Sequence, residues 1–172
     1  MRAAFIIACL SACLAPAPAS ASRALDGEPN QVPGDSPLVF CEGDHSKDIV
    51  GIERVDTIPN PPQPGQNLTI SAQGVVHEPI EDGAYVRLII KYNRFISIPV
   101  PSVNLCDNVG QIGLSCPLEA GEMKISKEFP LEKKIPPGTY DVQADVFTKD
   151  DRKITCVQAS VEFKQSGFSN EL

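Results

Sequence analysis

The chain has 172 residues, with 15 Lys plus Arg against 22 Asp plus Glu, a net charge of −7. Without a basic run it is a poor match for nucleic acid, because phosphate neutralisation needs clustered Lys and Arg. Its 16 prolines, nearly twice the usual share of about 5%, are spread along the length and argue against a helical bundle.

The first 21 residues read as a secretory signal peptide. Arg2 precedes an apolar run from Ala3 to Leu14, and Ala19-Ser20-Ala21 fits the small-x-small cleavage rule. The run is too short to span a bilayer, and no later segment approaches the ~20 apolar residues a span needs. Residues 22–37 hold three prolines, two glycines and almost nothing apolar. They are expected to form a flexible leader or propeptide, since they bury too little to offset their ordering entropy. The folded domain is expected over residues 38–164, with a loose tail over 165–172.

Cys9 and Cys13 fall in the signal peptide. Cys41, Cys106, Cys116 and Cys156 remain, an even count that in a secreted domain implies two disulfides in one of three pairings. Pairing Cys106 with Cys116 across a Gly-containing loop would leave Cys41 for Cys156, tying the first strand to the last. A metal reading has little to stand on, because no CxxC is present and His45 and His77 lie in polar, turn-rich stretches.

Short alternating runs recur between turn signals. Residues 48–58 form the first, stopped by Pro59-Asn60-Pro61-Pro62-Gln63-Pro64-Gly65. Residues 67–76 place Leu68, Ile70 and Ala72 on one face. Residues 84–92 place Val86, Leu88, Ile90 and Tyr92 on one face, against Tyr85, Arg87, Ile89 and Lys91. Residues 95–103 are interrupted by Pro99 and Pro101, which demotes them to an edge strand or extended segment. Residues 122–131 alternate less well. After Pro136-Pro137-Gly138, residues 139–148 place Tyr140, Val142, Ala144 and Val146 inward. Residues 154–163 put Val157, Ala159, Val161 and Phe163 on one face. Seven or eight short strands, no helix and no internal repeat predict an all-β, antiparallel sandwich. Asn67-Leu68-Thr69 is an N-glycosylation sequon.

No nucleophile motif, zinc-protease motif or glycine-rich phosphate loop is present. The residues therefore point to a non-enzyme; the secreted-enzyme alternative would have to rest on His45 or His77. Carriage and recognition both remain open, because the fold alone does not assign function. The question is whether the interior is filled. Sheets about 10 Å apart are filled by their own side chains, whereas a carrier needs them splayed. Inward Val, Ile, Leu and Ala suit either arrangement.

Several motifs then stand together: Leu38-Val39-Phe40-Cys41-Glu42-Gly43-Asp44, Gly65-Gln66-Asn67-Leu68-Thr69-Ile70, Gly83-Ala84-Tyr85-Val86, Cys116-Pro117-Leu118, Ile135-Pro136-Pro137-Gly138-Thr139-Tyr140 and Ile154-Thr155-Cys156. Over nearly all of residues 38–163 the chain resembles the ML (MD-2-related lipid-recognition) family, in particular its fungal phosphatidylglycerol/phosphatidylinositol transfer branch, beside the Niemann–Pick type C2 sterol carriers. The resemblance implies an immunoglobulin-like sandwich of two sheets with an apolar lipid cavity between them. It supports the pairings Cys41–Cys156 and Cys106–Cys116. It also implies that the stretch from Phe129 to Pro136 sits at the cavity mouth. Animal sterol carriers have a further early disulfide where this chain has Pro59 to Pro64, and a large aromatic near the position of Ile135. Its absence favours a broader phospholipid preference.

On this basis the expected cavity lining is Val86, Leu88, Ile90, Ile98, Val103, Leu131, Ile135, Val142 and Val146. Lys91, Arg94, Lys133 and Lys134 are candidates to meet anionic head groups. The expected protein is a cofactor-free monomer of the secretory pathway, secreted or held in a vacuolar or lysosomal lumen. Its expected partners are a phospholipid or sterol and, transiently, membrane surfaces. The competing reading is a recognition module or co-receptor with a filled core.

Overall fold

The computed structural model describes residues 30–164, so the signal-peptide and tail assignments and the first part of the leader lie outside the described residues. The described residues form two antiparallel sheets from nine strands: β1 (Leu38–Phe40), β2 (Val50–Ile58), β3 (Asn67–Val76), β4 (Tyr85–Tyr92), β5 (Ile96–Ile98), β6 (Val103–Asn104), β7 (Gly121–Pro130), β8 (Gly138–Phe147) and β9 (Lys153–Phe163). The larger sheet has the order β1-β9-β8-β4-β5, with β6 also on β4; the smaller is β2-β3-β7. This is the expected immunoglobulin-like sandwich. Both sulfur bridges join the expected partners, Cys41 with Cys156 and Cys106 with Cys116, at Cα separations of 5.5 and 5.6 Å.

Period-two alternation locates the long strands within a residue or two. The 95–103 segment divides into β5 and β6, because Pro99 and Pro101 cannot donate to a ladder. The expectation of no helix is corrected. Residues Leu105–Val109 form α1, followed by a 3₁₀ turn at Gly110–Ile112. The Asn104 side chain caps α1 by accepting from the Asp107 amide at 3.2 Å. Five residues make less than two turns, too few for a helical period to show in sequence. None of the helices among the described residues is long and apolar enough to cross a membrane.

The flexible-leader expectation also needs correction for its last residues. Val32 is fully buried, and Gln31 bridges Val39. The Val55 and Thr57 amides donate to the Pro33 and Asp35 carbonyls, each at 2.8 Å, so this segment covers the free edge of β2. At Gly34 (φ 115°) a Cβ would stand 2.2 Å from the Val55 carbonyl oxygen. Composition hid this role because the contact is made mainly by backbone.

The densest packing lies at one end of the sandwich. Ile49, Val76, Ile80, Ala84, Leu118 and Ile154 form the buried cluster, with Val146 of the larger sheet and Met123 of the smaller packed against it. At the other end stand Tyr92, Tyr140 and Phe163, beside the 131–137 connector between β7 and β8.

Candidate functional site

The packing of Val146 against the core shows which face of the larger sheet looks inward. Register then places its neighbours: Val86 opposite Val146, Leu88 opposite Ala144, and Ile90 opposite Val142. Val157 and Ala159 of β9 continue the same face, opposite Ala144 and Val142. Across the interior, Val50, Ile52, Val55, Ala72, Met123 and Ile125 line a recess of about 170 Å³ with no charged wall. Val50 and Met123 also touch the core cluster, so the recess begins where the packed end stops.

The inner face of the larger sheet is only partly covered. Val86, Leu88 and Ile90 on β4, and Val142, Ala144 and Val146 on β8, are all half-buried. The one buried residue of β8 is Asp145, which points to the outer face. In a filled sandwich the inward positions are the most buried. Here the buried cluster joins the two sheets at the packed end, and the inward positions of β4 and β8 beyond it are only half-buried. The interior is a cleft that holds the apolar recess of about 170 Å³ on the smaller sheet.

The other expected lining residues fall around this cleft in different ways. Val103 is half-buried and pairs with Val86. Ile98 pairs with Ile90 and so shares the inward face, but it is 40% exposed at the sheet edge. Leu131 and Ile135 are half-buried in the connector at the open end. Sequence reasoning left out the opposite wall from β2, β3 and β7. The alternation of Leu68, Ile70 and Ala72 was visible, but nothing in one sequence says which sheet a strand joins.

An aromatic group borders the open end. The Tyr92 and Tyr140 ring centroids are 5.1 Å apart, and Phe163 meets Tyr140 edge-on at 5.5 Å. The two hydroxyls donate to the Pro137 and Pro136 carbonyls at 2.8 and 3.1 Å, which fastens the connector to the larger sheet. Burial, with some help from Tyr92, pushes the Tyr140 phenol above its ordinary value.

Charges pair on the outside. Arg54 meets Asp56 at 2.6 Å, Lys149 meets Glu81 at 2.9 Å, and Arg152 forks onto Glu78. A larger hollow of about 610 Å³ lies on the outer face of the larger sheet, with Val39, Ile89, Lys91, Asp141, Gln143 and Gln158 on its walls. Its mixed, solvent-facing surface makes it a weaker ligand site than the apolar interior. The histidines do not reach the cleft walls. His45 meets Asp48 at 2.8 Å and the Cys41 carbonyl at 2.7 Å, so both of its ring nitrogens are engaged. Cys41, Asp145 and Cys156 bring three potential ligand atoms together, but the two sulfurs are joined in the disulfide and offer no thiolate. Asn67 is exposed at the start of β3, with its amide 3.3 Å from Glu128.

Comparison with known proteins matches residues 35–163 to the family model described as ML domain. The chain belongs to the ML domain family. The match spans both sheets and both disulfides. Relatives include the phosphatidylglycerol/phosphatidylinositol transfer protein of Aspergillus fumigatus, 46% identical over 91% of this chain and 94% of that one. The protein of the same name from Neurospora crassa is 48% identical over 82% of this chain and 81% of that one. Among solved structures, a Niemann-Pick type C2 protein from Japanese carpenter ant matches 78% of this chain and 95% of its own, at 19% identity and a TM-score of 0.45. So distant a likeness does not bear on function. In this ML chain the family match begins at residue 35, and the two-sheet architecture agrees with the expectation.

Proposed function

We propose that this ML protein is a lipid carrier. It takes one phospholipid, phosphatidylinositol or phosphatidylglycerol, or a sterol, into the cleft between its sheets and moves it from one membrane to another. The observation that carries this reading is the half-buried inner face of β4 and β8. Aliphatic side chains that a closed sandwich would cover are left for a ligand to cover. The relatives' name supports the choice of phospholipid.

Apolar burial supplies the driving force, at about 25 cal/mol per Å², opposed by ordering and desolvation costs. Val86, Leu88, Ile90, Val142 and Val146 form one wall for the acyl chains, and Val103 extends it. The recess on the smaller sheet receives the deepest atoms. Ile98, Leu131 and Ile135 stand at the edge and the open end, where the head group remains in water. The two disulfides suit an oxidising compartment, secreted or lumenal. The carrier works as a cofactor-free monomer, and Asn67, exposed at the start of β3, is its glycosylation site.

Organic extraction of the purified protein followed by mass spectrometry should find about one lipid per chain. Labelled phosphatidylinositol, phosphatidylglycerol and sterol should pass between vesicles faster than with a control protein. No bound lipid and no transfer would overturn the carrier reading in favour of a recognition module.

A further inference from the structure

The exposed apolar side chains are not scattered. Phe95 is 89% exposed and Ile96 57% exposed, consecutive residues at the tip of the β4–β5 hairpin. A free phenyl ring on a loose loop would mean little, but this hairpin is held. Asn93 and Arg94 form its two-residue turn at φ 49° and 68°, and the Phe95 amide donates to the Tyr92 carbonyl across it. Asn93 is clamped to β8 twice: its amide donates to the Thr139 carbonyl at 2.7 Å, and its side-chain oxygen accepts from the Thr139 amide at 3.0 Å. The fold thus presents Phe95 on a stiff support.

Two further observations say what the tip meets. Ile96 pairs with Tyr92 and Ile98 with Ile90, so an apolar strip runs without a break from the tip onto the inward face of the cleft. Arg94 lies in the turn and Lys91 just before it, with Asp141 opposite Lys91 as the nearby acid. The whole chain is acidic at −7. A cationic spot beside an exposed aromatic, on a protein otherwise repelled by negative surfaces, selects one orientation toward an anionic bilayer.

We propose that the β4–β5 tip is the membrane-docking device. Phe95 inserts among the head groups of an anionic bilayer, Arg94 and Lys91 meet lipid phosphates, and the edge of the cleft beside β5 is brought to the membrane. This rests on the carrier reading and adds the surface through which the carrier loads.

The chain contains no Trp, so Phe95→Trp provides a single indole fluorophore at the tip. Vesicles of phosphatidylcholine with and without phosphatidylglycerol are the probe. The indole emission should shift to the blue and be quenched by brominated acyl chains, more strongly with phosphatidylglycerol. Phe95→Ser should weaken vesicle association about tenfold or more and slow transfer in proportion, with the lipid content of the purified protein unchanged. An emission that neither vesicle moves, while the protein still transfers lipid, would overturn the proposal, as would a Phe95→Ser variant transferring at the parent rate. A blue shift that grows with protein concentration in the absence of vesicles would identify a second copy as the occupant, and also overturn it. Failure of the parent protein to hold or transfer lipid would count against the carrier reading alone, since the fluorescence still reports docking.

Discussion

Asp145 Oδ1 lies 2.9 Å from Cys156 Sγ, on the outer face of the larger sheet. Asp145 is 8% exposed, and its carboxylate accepts from Arg87 at 3.2 Å and from the Gln143 side-chain amide at 3.2 Å. Arg87 also lies over the Phe147 ring at 5.0 Å. Loss of the carboxylate strands two donors beside the long-range disulfide. Asp145→Ala should lower stability by about 1–3 kcal/mol, read in a denaturant titration. Lipid content should not change, because this group and the cleft are on opposite faces of the sheet.

Filling the cleft should separate binding from folding. Val142→Phe and Leu88→Trp add volume to half-buried inward positions where a filled core would be strained. Both variants should melt within a few degrees of the parent, while extracted lipid per chain falls severalfold by mass spectrometry. A large loss of stability with lipid content unchanged would mean the interior is a packed core.

Gly34→Ala tests the segment that covers β2. The new methyl would collide with the Val55 carbonyl, at a φ of 115° that side chains rarely adopt. The segment should detach, and the Val55 and Thr57 amides that donate to it should exchange with solvent much faster. Hydrogen exchange at those two amides is the measurement, with a stability loss of about 1–3 kcal/mol expected alongside.

Acid should loosen the turns at the packed end. The Arg152 hydrogen bond holds the Glu78 carboxyl below its ordinary value of 4.5, and Lys149 does the same for Glu81. A carboxylate lowered by folding adds stability above its unfolded value, and that contribution is lost as pH falls through the folded one. Melting temperature should therefore hold from neutral pH to about 5 and fall below about 4.5. The double variant Arg152→Ala, Lys149→Ala should show a shallower fall, because its two glutamates titrate alike folded and unfolded. These pairs are exposed, so the effect is small and weakens with salt.

Alternation along the chain is enough to find the strands, since a two-residue period is a local property: 67–76 and Asn67–Val76 coincide, and 139–148 and Gly138–Phe147 differ by a residue at each end. Motifs and the even cysteine count are enough to name the family and the disulfide partners. The helix at Leu105–Val109 escapes because its stability comes from the Asn104 cap and the Cys106–Cys116 bridge, not from a repeating apolar face. The role of residues 31–37 escapes because backbone atoms carry it. Half of the cleft escapes for a related reason: Val50, Ile52, Met123 and Ile125 face Val86 and Val142 only once the strands are sorted into two sheets. By itself, then, the sequence determined the strands, the even count of four cysteines, the compartment to expect and the chemistry of the inward side chains, while the family resemblance implied which cysteines pair. Whether those side chains fill the interior is set by how far apart the sheets stand. Distant elements decide that spacing: the packed cluster at one end, and the connector clamped by Tyr92 and Tyr140 at the other.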